Sequence, residues 1–105
     1  MVRGDVHAFA FPRGRGHAQH GRRFAVIVQA DELLALSTIV VCPTSSSTLA
    51  ATFHPEVALE GESTRVMCEM VGVVDRDRLG ERVAHLTLDE VRRIDEALEL
   101  VLGLG

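Results

Sequence analysis

The sequence predicts a small, mostly antiparallel α+β domain, a curled half-barrel of short strands covered by one terminal helix. Three observations carry this expectation. The chain has 105 residues, 47% of them hydrophobic, which suits one core and leaves nothing for a second. Short β-branched apolar runs recur through residues 6–74, separated by Gly, Pro and hydroxyl-bearing turns. Residues 87–103 carry apolar side chains at helical spacing between recognisable start and stop signals. No internal repeat or long linker divides the chain, so residues 1–105 are read as one domain.

The elements follow in order. VHAFAF (6–11) alternates weakly and reads as a strand ended by Pro12, which has no backbone donor for a ladder. FAVIVQ (24–29) reads as a buried strand, and DELLAL (31–36) as either one helical turn or a connection. TIVVCP (38–43) repeats the buried-strand pattern and is expected to stop at Pro43, with TSSSTLAA (44–51) as loop. In TFHPEVAL (52–59), Pro55 marks an edge strand or a bulge. A turn around Glu60, Gly61, Glu62 and Ser63 leads to RVMCEMVGVV (65–74), one or two strands with Gly72 as a bulge. Thr87 and Glu90 have the spacing of a capping box. Leu88, Val91, Ile94, Leu98 and Val101 then form an apolar stripe opposite Arg92, Arg93, Asp95, Glu96 and Glu99, and Gly103 stops the helix, which is expected to cover the sheet.

Charge is unevenly placed. The formal net charge is −4, yet residues 1–23 hold five arginines against the single acid Asp5. Residues 12–23, PRGRGHAQHGRR, concentrate four of those arginines with three glycines and two histidines. Gly14, Gly16 and Gly21 let backbone approach a ligand closely, and a guanidinium fork pairs with phosphate in a bidentate way. From composition alone the segment reads equally as a solvated loop or as a phosphate cradle. All eleven cations are arginine, which codon usage explains as readily as phosphate recognition does.

Several classes are excluded. No run approaches the roughly 18 apolar residues of a membrane span, and Met1 leads directly to Arg3 and Asp5 without a signal-like segment, so no membrane partner and a cytoplasmic location are expected. Cys42 and Cys68 sit in apolar runs and read as buried free thiols. No Lys-Ser or Lys-Thr pair closes the Gly-rich segment, which argues against a nucleotide cofactor. His17 and His20 have H-x-x-H spacing, with Cys42 or Cys68 as conceivable further ligands, but the loop lacks helical i, i+4 geometry and no metal site is expected. His7, His54 and His85 read as packing or surface residues. Ser45, Ser46 and Ser47 follow a strand without a nucleophile-elbow signature and read as loop serines unless another feature brings them beside the arginines.

Read together, R-G-D-V (3–6), G-x-x-Q-x-G-x-R (16–23), V-V-x-P-x-S-S (40–46), C-E-x-x-x-x-x-D-x-x-R-L-G-x-R-x-x-x-L (68–86) and I-D-E-A-L-x-L-x-L-G-L (94–104) resemble the MazF/PemK toxins. The resemblance spans nearly the whole chain in the same order. It implies an SH3-like barrel with a terminal helix, a homodimer, and a ribosome-independent endoribonuclease that cuts single-stranded RNA at short sequences without a metal or other cofactor. It further implies a MazE-like antitoxin whose acidic tail lies over the RNA groove. The family's catalytic arginine and hydroxyl fall on Arg23 and Ser45. The resemblance places Arg13, Arg15, Gly16, Gln19, Gly21, Arg22, Phe24, Thr44 and Ser46 along the RNA.

This sequence departs from the family at three points. Ala18 stands where the family has a glutamate, Phe24 where it has a proline, and Met70 where it often has a glutamine. His17 and His20 flank the missing carboxylate and are candidates to take over proton transfer, or else contact RNA or solvent. Phe24 either stacks on a base or begins the buried strand. Two other readings stay open: a CcdB-like toxin of the same fold that binds DNA gyrase and cuts nothing, and a degenerate relative that only binds antitoxin.

Overall fold

Among the described residues, the apolar runs become seven strands and one α-helix. They are β1 (Asp5–Phe9), β2 (Phe24–Ile27), β3 (Thr38–Ser45), β4 (Glu56–Leu59), β5 (Glu62–Val66), β6 (Gly72–Asp75), β7 (Leu79–His85) and α1 (Leu88–Leu102). The computed structural model describes residues 1–9 and 23–104. All strand pairings are antiparallel, in the order β4-β5-β3-β2-β1-β7, with β6 also paired to β3. Among the described residues, no helix is long and apolar enough to cross a membrane.

β3 makes the sheet curl. Its first half pairs with β6 (Thr38↔Asp75 to Val41↔Gly72) and its second half with β5 (Thr44↔Val66, Ser45↔Arg65). Pro43 does not end this strand as the sequence suggests. Val28 donates to the Val40 carbonyl (3.1 Å), so hydrogen-bonded pairs fall at 28/40 and 26/42, and Pro43 faces Ala25 as a non-bonded pair. On its other side Pro43 occupies the switch between β6 and β5, where its carbonyl accepts from the Met67 amide (2.8 Å) and no ladder donor is required. Thr44 and Ser45 therefore belong to the strand rather than to the loop.

Other boundaries also differ from expectation. DELLAL contains a 3₁₀ turn at Asp31–Leu33. RVMCEMVGVV splits into the end of β5, a 3₁₀ turn at Cys68–Met70, and β6, so Gly72 begins a strand instead of bulging one. β7 had no periodicity to announce it, because it is a mostly exposed strand that, among the described residues, pairs only with β1. β4 is the opposite edge and starts directly after Pro55. It joins β5 through Glu60 and Gly61, whose φ values of 52° and 81° are those of the two-residue turn that matches strand twist.

Two apolar layers form, one on each face of the sheet. One gathers Val6, Val26, Cys42, Val57, Val66 and Cys68 beneath Ile94, Ala97 and Leu98 of α1. The other gathers Ala25, Ile27, Leu34, Ile39 and Val41. The predicted capping box is present: Thr87 Oγ1 accepts from the Glu90 amide, and Glu90 Oε1 accepts from the Thr87 amide. Glu90 Oε2 also accepts from the Ala58 amide (3.1 Å), and Arg93 donates to the Glu56 carbonyl (2.8 Å), so α1 satisfies part of the open β4 edge. Leu88 leaves the predicted stripe. It is 87% exposed because the first helical residue lies beyond the sheet that the later turns cover.

The R-G-D segment docks the helix. Arg3 pairs with Asp95 of α1 (2.8 Å) and donates to the Val28 carbonyl. Gly4 has φ 95°, and a Cβ there would meet Val91 at 3.1 Å, so a side chain would push α1 away. Asp5 is buried and receives the Val2 amide and His85 Nδ1.

Candidate functional site

A cavity of about 510 Å³ opens where β2 begins and β3 ends. It is lined by Arg23, Phe24, Thr44, Ser45, Ser46, Ser47 and the β4–β5 hairpin residues Leu59, Glu60, Glu62, Ser63 and Thr64. Register explains the grouping. The β2–β3 ladder runs Ala25↔Pro43, and continuing it two residues sets Arg23 across from Ser45, on the same face. Arg23 keeps this strand-like path, since its carbonyl accepts from the Phe9 amide (2.9 Å).

The hydroxyls differ in their engagements. Thr44 is buried, and its Oγ1 donates across the ladder to the Phe24 carbonyl at 3.5 Å. Ser45 is half-buried; its Oγ accepts from the Ser47 amide (3.3 Å) and lies 3.2 Å from Ser47 Oγ, a local turn that leaves the hydroxyl at the cavity wall. The structure thus brings together Arg23, Phe24, Thr44, Ser45 and Ser46. Arg13, Arg15, Gly16, His17, Gln19, His20, Gly21 and Arg22 lie outside the described residues, as does Ala18.

Sequence reasoning missed the hairpin wall. Glu60, Glu62, Ser63 and Thr64 carry no motif, and only the E-G-E turn signal marked the place where the chain folds back. The cavity lining therefore holds both a guanidinium, Arg23, and two carboxylates, Glu60 and Glu62.

The segment after Ser47 is anchored by His54. This ring is buried, its Nε2 donates to the Glu69 carboxylate (2.8 Å), and its Nδ1 donates to the Leu49 carbonyl (2.7 Å). The Glu69 carboxylate, then the Leu49 carbonyl, raise the His54 pKa above its ordinary value despite burial, since both ring nitrogens face acceptors that favour the protonated form. His54 is therefore more than a packing residue. His7 is also buried and donates to the Gly80 carbonyl, whereas His85 is exposed beside Asp5.

Cys42 and Cys68 are both buried and free. The hydrogen bond to Cys68, together with burial, raises Cys42 far above the usual thiol range, so it persists as an unreactive thiol. Among the described residues, no three His, Cys, Asp or Glu side chains converge as metal ligands.

The fold and cavity define the class: a curled antiparallel half-barrel with a C-terminal helix and an arginine-and-hydroxyl cleft at the strand ends. Residues 2–102 match the family described as PemK-like, MazF-like toxin of type II toxin-antitoxin system, and the chain belongs to that family. A candidate toxin of Mycobacterium tuberculosis, Rv3098A, is 32% identical over 106 residues, covering 99% of each chain. Among solved structures, a mycobacterial endoribonuclease in complex with its cognate antitoxin superposes with a TM-score of 0.82 at 18% identity, over 100% of this chain and 97% of that one. MazF from Deinococcus radiodurans superposes with a TM-score of 0.79 at 24% identity, over 98% of this chain and 96% of that one. These two likenesses establish the shared fold.

Proposed function

We propose that this toxin is a sequence-specific, ribosome-independent endoribonuclease of single-stranded RNA, and that Arg23 and Ser45 act on the scissile phosphate. The observation that carries the reading is their placement, one across from the other, on the wall of one polar cavity. RNA supplies its own nucleophile, the 2′-hydroxyl. The protein needs only to align that oxygen with phosphorus, remove its proton and stabilise the charge that develops. Arg23 neutralises the non-bridging oxygens, and the Ser45 hydroxyl donates to the same phosphate. No bound metal is required for this sequence. The bond from phosphorus to the 5′-oxygen breaks, leaving a 2′,3′-cyclic phosphate and a 5′-hydroxyl.

The endoribonuclease descriptions of the structural relatives support this reading over a gyrase-binding one, and the toxin–antitoxin complexes among them support a MazE-like antitoxin as partner. The working unit is a cytoplasmic homodimer. Phe24, Thr44 and Ser46 line the RNA path inside the cavity, and Arg13, Arg15, Gly16, Gln19, Gly21 and Arg22 extend it.

The test is incubation of purified protein with single-stranded RNA in excess chelator. Cleavage to cyclic-phosphate ends is expected, and RNA carrying 2′-O-methyl riboses is expected to stay intact. Uncut RNA together with co-purifying gyrase would establish the non-enzymatic alternative instead. Proton transfer is assigned to His17 or His20, beside Ala18. Replacing each in turn by alanine is expected to slow cleavage and flatten its pH profile for one of them by about 10²-fold; wild-type rates and profiles in both variants would exclude the histidines.

A further inference from the structure

We propose that Arg65 is a second phosphate-binding cation of this site, holding the phosphate adjacent to the one that Arg23 addresses; the proposal rests on the ribonuclease reading above. Arg65 belongs to none of the motifs that pointed to the site. Its position comes from the ladder. Ser45 pairs with Arg65 on β5 as it faces Arg23 on the β2 side, so the two guanidinium-bearing residues flank one hydroxyl in a row on one face of the sheet. Their backbones stand two strand spacings apart, roughly 9–10 Å. The reach of two long arginine side chains lets that backbone separation serve neighbouring phosphates of one strand.

Three further observations favour a ligand role over a structural one. Arg3, Arg82, Arg92 and Arg93 each lie within ion-pair distance of a carboxylate, whereas Arg65, like Arg76 and Arg78, has no such partner among the described residues, and of these three it alone pairs with Ser45. Its hydrogen-bond partner is neutral: Nη1 donates to the His54 carbonyl at 3.4 Å. Glu56, the one acid directly across from it, accepts instead from the Ser63 hydroxyl. The half-buried guanidinium is thus held, but not neutralised, next to a cavity wall that continues through Ser63 and Thr64. The His54 carbonyl is itself a fixed rest, because Glu69 and the Leu49 carbonyl anchor the His54 ring. An anion entering beside Ser45 completes the coordination that Arg65 lacks.

The experiment measures binding of a random pool of 2′-O-methyl RNA 10-mers, which cannot be cut, by fluorescence anisotropy at increasing salt. For a single strand, each phosphate contact adds about 0.7 to the slope of log affinity against log salt. Arg65→Met is expected to weaken low-salt binding several-fold and to make the slope shallower by about 0.7, and Arg65→Lys to restore the slope. Arg92→Met, on the exposed helix face, is the control and is expected to keep the full slope. Melting curves check that each variant is folded; if Arg65→Met is not, Arg65→Lys and Arg65→Gln carry the comparison. A slope unchanged by loss of the Arg65 charge, in a protein that still binds the pool, overturns this assignment alone. A wild-type protein that does not bind the pool overturns the ribonuclease reading and this proposal with it.

Discussion

Arg23→Ala is expected to lower the RNA-cleavage rate by about 10²–10³-fold, the effect of removing one preorganised donor from a developing oxyanion. The loss should appear mainly in kcat, because a guanidinium on the scissile phosphate does most for the transition state, where charge on the equatorial oxygens is greatest. Arg23→Lys is expected to recover only part of it. Lysine keeps the charge, but it cannot offer the two parallel donors that suit a phosphate. Single-turnover cleavage of a fluorescent RNA by both variants is the measurement, with 2′-O-methyl RNA binding run alongside. An Arg23→Ala protein that cuts at the wild-type rate would remove the basis for placing the reaction in this cavity.

The second large effect is on stability. Asp5→Ala is expected to cost about 3 kcal/mol at neutral pH, because a buried carboxylate that receives charged and backbone donors is lost along with those bonds. Asp5 is 1% exposed; it accepts from the Val2 amide (2.9 Å) and His85 Nδ1 (2.8 Å), with Arg82 at 3.6 Å. Burial by itself would raise its pKa. The Val2 amide, His85 and Arg82 together outweigh burial and hold the carboxyl below its ordinary value of 3.8. A folded-state pKa below the unfolded one means that this stabilisation is complete above the ordinary value and is lost as pH falls through the lower folded value. Urea denaturation of wild type and Asp5→Ala should therefore show a gap that narrows as pH falls below 3.8. A gap that does not narrow in the acid range would mean that Asp5 acts through packing rather than charge.

Asp5 also shows how a motif becomes intelligible only in three dimensions. R-G-D-V was readable as a family mark, but nothing in four consecutive letters says that Arg3 reaches Asp95, that Gly4 clears Val91, or that Asp5 meets His85. Each partner lies some eighty or more residues away, and sequence spacing carries no information about such contacts. The reverse held for α1. Its capping box, its apolar positions at Val91, Ile94 and Leu98, and its glycine stop are local patterns with local causes, and the structure reproduces them apart from exposed Leu88.

The candidate site divides in the same way. Arg23 and Ser45 were nominated by the family resemblance, whose G-x-R and P-x-S patterns are short and ordered. Arg65, Glu60 and Glu62 were not, because an arginine or glutamate on a short strand or turn looks like any solvated charge until the ladder states what it faces. β7 stayed hidden for a related reason: an edge strand with little buried surface leaves no alternation to detect.

By itself, then, the sequence determined the class of fold, the terminal helix and the buried free thiols, since periodicity, capping and apolar runs are set by neighbours along the chain, and its family resemblance nominated Arg23 and Ser45. Only the tertiary structure decided that β3 runs through Pro43, changing partner from β6 to β5, and so carries Ser45 between Arg23 and Arg65. The physical reason is that strand pairing is a long-range choice. Which residues share a face depends on register between segments far apart in the chain, and a one-residue difference would have turned Arg65 to the opposite face.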